Sequence, residues 1–280
     1  MRHLRAIVRA SELILWTLLM YAALVLGLPF FFAFRTGSTQ WRSIVFHRWA
    51  VVTAIILGLK IDVTGKPPCQ PFLLVSNHLS YLDVLLFASR MKCVFVARGD
   101  LAQWPLVGAL CRAAGTIFIN RQSRMDVARV NGLISQALDD GRGVVLFAEG
   151  TSSRGETVLP FKSPLLEQAA RASFAVSYAA ITYRTLECEP APDISVCWWG
   201  GMTFTKHLTG LLYLTEVQGD VIFGEEPIRA SDRKVLAQRL SSAVRERFIP
   251  VVQTPGILAA NTGSAQLDVE RKAEVSGTIQ

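Results

Sequence analysis

The sequence predicts an α/β fold: a mixed sheet flanked by helices, preceded by an N-terminal membrane-embedded helical hairpin. Two observations carry this. Leu13 to Phe34 is a stretch without a charged residue, long enough for the roughly 20 residues that a spanning helix needs. From Ile61 onward, short apolar runs alternate with longer amphipathic ones, with Gly and Pro between them, the pattern of strands exchanging with helices. Beyond Gln253 the residues turn small and polar, as in Asn261-Thr262-Gly263-Ser264, a composition that cannot build a core. The 280 residues therefore divide into a membrane anchor over 1–60, an α/β domain over 61–253 and a disordered tail over 254–280.

The anchor opens on Arg2, Arg5 and Arg9. A cleaved signal peptide has such a start, but this apolar core is too long and no small-residue cleavage site follows. Arg35, Arg42, Arg48 and Lys60 make the far side as basic as the start, so the positive-inside rule favours keeping both flanks cytoplasmic. The second apolar run, Trp49 to Leu59, is too short to cross alone and can return the chain as a re-entrant or interfacial helix. The expected form is a two-helix hairpin ending near Lys60, with Trp16, Trp41 and Trp49 at headgroup level, a single span being the alternative.

In the α/β domain the expected strands are Phe72 to Ser76, Cys93 to Ala97, Thr116 to Asn120, Gly143 to Ala148, Ala175 to Tyr183, Ile194 to Trp199 and Thr215 to Phe223. The expected helices are Ser80 to Ser89, Asp100 to Ala113, Arg124 to Asp139, Ser163 to Ala172 and Ser231 to Arg247. No internal repeat is apparent.

A net charge of +7 calls for an anionic partner. With 51% hydrophobic and only 18% charged residues, the cations are diluted among apolar neighbours, which disfavours nucleic acid and favours a membrane surface. The five cysteines are odd in number and widely spaced, and read as reduced core residues in a reducing compartment. The four histidines are too scattered for a metal site.

Asn77-His78-Leu79-Ser80-Tyr81-Leu82-Asp83 stands where a buried strand becomes a helix. On one helix a separation of five leaves two side chains about 140° apart, whereas across a tight turn His78 and Asp83 can meet. A carboxylate then fixes the imidazole tautomer and leaves the other nitrogen to accept a proton, as a general base requires. Ser80-x-x-Asp83 equally fits a capping box with Ser80 as N-cap, and the two readings are compatible.

Three further stretches fall at the same kind of strand edge, where ligands bind in open parallel sheets. Gly115 to Arg121 is an apolar strand delivering Arg121, whose guanidinium can hold a phosphate by two parallel bonds. Phe147-Ala148-Glu149-Gly150-Thr151-Ser152-Ser153 offers an acid, a glycine turn and three hydroxyls to an anion or a polyol. It lacks the Gly-Lys-Ser/Thr pairing of a P-loop. Leu159-Pro160-Phe161-Lys162 can add the charge of Lys162. Alone, each has an ordinary structural explanation: a strand-ending arginine, a polar turn, a surface lysine.

Together and in this order, Asn-His-x-x-x-x-Asp, Gly-x-x-x-x-x-Arg, Phe-x-Glu-Gly-Thr and Pro-Phe-Lys resemble the glycerolipid acyltransferase family that includes lysophosphatidic acid acyltransferases. The resemblance covers roughly residues 60 to 225 and extends to the membrane-associated N-terminal segment. It implies a glycerol-3-phosphate acyltransferase-like sheet and one-step acyl transfer from acyl-CoA or acyl-carrier protein, as co-substrate, to the free hydroxyl of lysophosphatidic acid, giving phosphatidic acid in phospholipid synthesis, with no cofactor and no metal. By the resemblance His78 is the base, Asp83 its orienting carboxylate, and Asn77, Arg121, Glu149, Gly150, Thr151 and Lys162 belong to the substrate-binding motifs. It also implies a cytoplasmic or inner membrane location with the site on the cytoplasmic face.

The third motif of that family usually reads Phe-Pro-Glu-Gly-Thr-Arg-Ser, and here Ala148 and Ser152 stand in place of the proline and the arginine. Losing the arginine subtracts a cation from the expected phosphate site, unless Arg154, Arg98 or Lys162 replaces it. An acceptor with another headgroup, such as lyso-ornithine lipid, is the alternative. Two competing functions are a thioesterase or lipase using Ser80, which lacks a Gly-x-Ser-x-Gly elbow, and a non-catalytic membrane-binding module.

Overall fold

The computed structural model describes residues 1–33, 37–105 and 107–252; the expected disordered tail lies outside them. Helices α1 (Arg2–Ala33) and α2 (Ser38–Leu57) form the N-terminal pair. Their tryptophans bolt the helices together. Trp16 Nε1 donates to Trp49 O at 3.2 Å and Trp49 Nε1 to Thr17 Oγ1 at 3.1 Å. A Cβ on Gly27 would sit 2.3 Å from the Trp41 indole. Gly58, at φ 70°, ends α2 in the left-handed conformation that glycine tolerates, so the hairpin ends before Lys60. The basic start lies within α1 and is tied to the α/β body: Arg5 donates to Tyr213 O and to Thr215 Oγ1 (3.0 Å), and Arg9 to Leu214 O (2.5 Å) and Thr215 O (3.0 Å).

The body is a seven-stranded sheet of β1 (Leu59–Thr64), β2 (Phe72–Ser76), β3 (Cys93–Arg98), β4 (Ile117–Ile119), β5 (Gly143–Phe147), β6 (Val176–Thr185) and β7 (Val217–Phe223). Its order is β1-β7-β6-β2-β5-β3-β4. Only the β6–β7 pairing is antiparallel, so β1 and β7 run against the other five strands in a mixed sheet. β2 is buried along its whole length because both faces are covered. Phe72 and Leu74 face a layer holding α2, α3 (Leu82–Ala88) and α8 (Phe204–Tyr213). Leu73 and Val75 face α5 (Arg124–Asp139), α6 (Glu167–Arg171) and α9 (Arg233–Arg247). The shorter α4 (Val107–Ala113) and α7 (Pro192–Ser195) complete the chain.

Gly143 lies opposite Phe72 in the β2–β5 register, and a Cβ on it would fall 2.2 Å from the Phe72 ring. Gly143→Ala must displace a buried aromatic, and is expected to lower stability by about 1–3 kcal/mol, read as a lower midpoint in thermal denaturation.

Several expected elements differ. The Asp100–Ala113 helix is split, a 3₁₀ segment over Gly99–Gln103 preceding α4, because Pro105 cannot continue a helix. Ile194 to Trp199 is not a strand: Pro192 opens the short α7, and Trp199 Nε1 ties back to Asp193 O at 2.7 Å. α8 and β1 were absent from the expected set. Of the cysteines, Cys93 and Cys197 are buried, whereas Cys69 and Cys188 are exposed and not part of the core.

Candidate active site

His78 leaves the carboxyl end of β2, and the chain turns within three residues into α3, which carries Asp83. His78 Nδ1 lies 2.7 Å from Asp83 Oδ2. That same oxygen accepts from Leu79 N (2.7 Å) and Ser80 N (3.1 Å), while Oδ1 accepts from Tyr183 Oη (2.7 Å). The aspartate therefore makes the acid half of a capping box and holds the histidine at once. The hydroxyl half is missing: α3 begins at Leu82 after Tyr81 with no side-chain cap. The Ser80 hydroxyl is buried and hydrogen-bonds to nothing among the described residues, so no Ser–His pair exists.

Asp83 is wholly buried, but 23% of the His78 side chain stays exposed, so the ring is reachable. It stacks on Phe147, with centroids 4.2 Å apart and planes 13° from parallel. With Nδ1 engaged by a carboxylate, Nδ1 carries the hydrogen and Nε2 is the free acceptor.

Asn77, expected among the substrate-binding residues, serves the sheet instead. It is buried, its Nδ2 donates to Ile181 O (2.9 Å), and its Oδ1 accepts from Ile181 N (2.7 Å). The side-chain amide thus continues the β2–β6 ladder past Ala179 and fixes where His78 emerges. Glu149 is also displaced from the expected role. Only 2% exposed, it accepts from Leu159 N at 3.3 Å. Burial, the leading cause, and the nearby Asp83 charge raise its pKa to about 8, against the lowering effect of hydrogen bonds from the Leu159 and His78 backbones.

A cationic pair stands over the turn after β5. Gly150, at φ 77°, bends the chain; a Cβ on it would meet Lys162 Nζ at 3.1 Å and Arg121 Nη1 at 3.2 Å. Arg121 donates to Gly150 O, and Lys162 N donates to Ala148 O at 2.8 Å. Burial and then repulsion from Arg98 lower the Arg121 pKa, and Asp100 opposes this. Thr151 is exposed beside the pair. Of the three possible replacements for the missing arginine, Arg154 is engaged with Asp193 (2.9 Å) and Glu156 (3.2 Å), and Arg98 with Asp100 (2.6 Å). Lys162 is the one that shares the Gly150 turn with Arg121, while Arg98 also lies near Arg121 but is paired with Asp100. Ser152 itself donates to Trp198 O. The turn and the histidine are stitched together, since Ser153 N donates to His78 O at 3.0 Å.

On the hairpin side of the sheet an apolar cavity of about 360 Å³ runs between α1, α2, α3, α4 and α8, with Phe46, Leu85, Phe95, Trp104 and Trp198 among its walls. Phe95 stacks on Phe147 at 6.2 Å, and Phe147 on His78, so two rings separate the cavity from the imidazole. The candidate site thus holds a reachable base, the Arg121 and Lys162 cations at the neighbouring turn, and an apolar space of ligand size behind the Phe95 and Phe147 rings.

A model of the Acyltransferase family matches residues 60–197. The lyso-ornithine lipid O-acyltransferase of Pseudomonas aeruginosa is 31% identical over 253 residues, covering 88% of this chain and 94% of that protein. The chain belongs to the acyltransferase family. A 1-acyl-sn-glycerol-3-phosphate acyltransferase of Neisseria meningitidis is 28% identical to it over 204 residues, covering 73% of this acyltransferase and 80% of the relative. The crystal structure of the 1-acyl-sn-glycerophosphate acyltransferase of Thermotoga maritima shares the fold, with a TM-score of 0.53 at 20% identity over 85% of this chain and 97% of that one.

In this acyltransferase the residue that sequence reasoning missed is Tyr183. In sequence it is the end of an apolar strand, and nothing local links it to an aspartate 100 positions earlier. The Asn77 ladder bonds were equally hidden, being made to a strand 104 positions away.

Proposed function

We propose that this acyltransferase moves an acyl chain from acyl-CoA or acyl-carrier protein to the hydroxyl of a lysolipid at a membrane surface, with His78 as general base. The observation that carries the reading is the 2.7 Å His78–Asp83 bond on a ring that stays reachable. His78 Nε2 takes the hydroxyl proton as the oxygen attacks the thioester carbonyl. The tetrahedral intermediate then collapses, the C–S bond breaks, and the imidazolium returns its proton to the departing thiolate. Asp83 stabilises the imidazolium between the two events. A thioester is already activated, so positioning and one proton transfer suffice.

Arg121 and Lys162 are suited to the headgroup anion, with Gly150 and Thr151 supplying the turn beneath it, and the apolar cavity to an acyl chain. Membrane association is supported by the segment Arg2–Gly27, the one helix among the described residues long and apolar enough to cross a bilayer, whose most apolar 18-residue window is only 6% buried. Leu4, Leu15, Leu18 and Leu26 are more than half exposed along it. A thioester donor made in the cytoplasm favours the cytoplasmic face.

Two acceptors fit. Lyso-ornithine lipid is favoured by the cation count: Ser152 and the engaged Arg154 leave two cations at the turn, which suits a singly charged carboxylate. Four relatives of 31–32% identity also carry that acceptor in their names. Lysophosphatidic acid is favoured by Lys162 beside Arg121, which restores part of the missing charge, and by the names of relatives at 28% identity. The test is an acceptor screen with the purified full chain in detergent micelles and labelled acyl-CoA. Lyso-ornithine lipid is expected to be acylated faster than lysophosphatidic acid, and Arg121→Ala is expected to raise the KM of the preferred acceptor about tenfold or more. Preference for lysophosphatidic acid would reverse the choice of acceptor, and transfer to no lysolipid would reject the function.

A further inference from the structure

We infer that Tyr183 is a positioning residue of the acyl transfer, a hydroxyl donor that holds the Asp83 carboxylate in register with His78. The inference rests on the reading of His78 as base. Tyr183 sits on β6, fully buried, and its Oη donates to Asp83 Oδ1 at 2.7 Å. Together with Leu79 N, Ser80 N and His78 Nδ1 it gives the two carboxylate oxygens four partners. The backbone pair and the histidine all meet Oδ2, so Tyr183 alone restrains the other oxygen. Without it, the carboxyl group is held through Oδ2 alone, and Oδ1 becomes a buried acceptor without a donor, free to tilt away from its present plane.

The surroundings make that donor consequential. The other ionisable groups facing Asp83 are Glu149 after β5 and Cys197 after α7, and Tyr81 before α3 faces Tyr183. Burial raises the pKa of each, and so keeps each protonated at neutral pH. Tyr183 is itself held neutral by burial and by the Asp83 charge. Asp193, which faces Cys197, is paired with Arg154. Asp83 therefore carries the formal charge of this cluster, and a neutral donor on it tempers its pull on the imidazolium without supplying a competing charge. Removing the donor leaves the carboxylate charge unshared on that oxygen and strengthens its pull on the imidazolium.

The experiment is Tyr183→Phe in the full chain, with kcat and KM measured across pH and thermal denaturation followed in parallel. Expected are a kcat lower by about tenfold, KM for both substrates within about twofold, and an acid limb of kcat/KM moved up by about half a pH unit or more. A merely loosened core would not move that limb. In an Asp83→Asn background the same substitution is expected to cost less than about twofold, because its route is through the carboxylate. An unmoved acid limb, or an equal loss in both backgrounds, would overturn the inference while leaving the base in place. An Asp83→Asn enzyme with unimpaired turnover would overturn the inference, whereas an unimpaired His78→Ala enzyme would refute the base assignment and the inference with it.

Discussion

His78→Ala is expected to lower acyl transfer by about 10²–10⁴-fold, the range lost with a general base, while the protein still folds and associates with membranes. The structure separates the two outcomes. The imidazole is partly exposed and lies flat on Phe147, so its loss opens a surface notch and leaves the core intact. Asp83 keeps three of its partners, Leu79 N, Ser80 N and Tyr183 Oη, and so is not stranded as an unpaired buried charge, the situation that would unfold the site. Turnover with acyl-CoA and lysolipid, set beside a denaturation curve, decides the matter. Unchanged turnover would reject His78 as base, and collapse of the fold would make it structural. A serine hydrolase would instead consume acyl-CoA without acceptor, and the Ser80 hydroxyl, buried and without a hydrogen bond to the histidine, gives such chemistry no nucleophile.

What the sequence revealed of this site depended on distance along the chain. His78 and Asp83 are five residues apart with a strand before and a helix after, so their meeting follows from one turn. Arg121, Gly150 and Lys162 could be assigned to a common edge because each follows an apolar strand or its turn, although their mutual approach needed the fold. Tyr183 and the Asn77–Ile181 ladder depend on β6 lying beside β2, which no local pattern announces.

The misread elements have similar causes. Val196 and Cys197 are completely buried, so Ile194 to Trp199 has a strand's composition, and only Pro192 and the anchored Asp193 turn it into a helical corner. β1 does alternate, with Lys60 and Asp62 between Leu59, Ile61 and Val63, but it follows directly on the apolar α2 and was absorbed into the anchor. α8 was legible in principle: Phe204, His207, Leu208, Leu211 and Leu212 repeat at helical spacing.

Glu149→Gln is expected to stabilise the protein increasingly as pH rises from about 4.5 to 8, with a ceiling of roughly 5 kcal/mol. The folded pKa of about 8 stands above the ordinary 4.5 because the carboxyl is buried beside Asp83. Below 4.5 both folded and unfolded chains hold the proton and the linkage costs nothing. Between 4.5 and 8 the unfolded chain releases a proton that the folded one retains, so stability declines by up to about 1.4 kcal/mol per unit. Above 8 the folded protein ionises too and the decline stops. Glutamine keeps an oxygen for Leu159 N and removes the titration, so the difference in denaturation midpoint between variant and wild type should widen up to pH 8 and then level. Parallel curves would refute the buried proton. The same variant tests what the carboxyl does for the reaction: as a neutral buttress behind His78 it can be replaced by an amide with near-normal turnover at pH 7, whereas a ligand of the substrate headgroup could not.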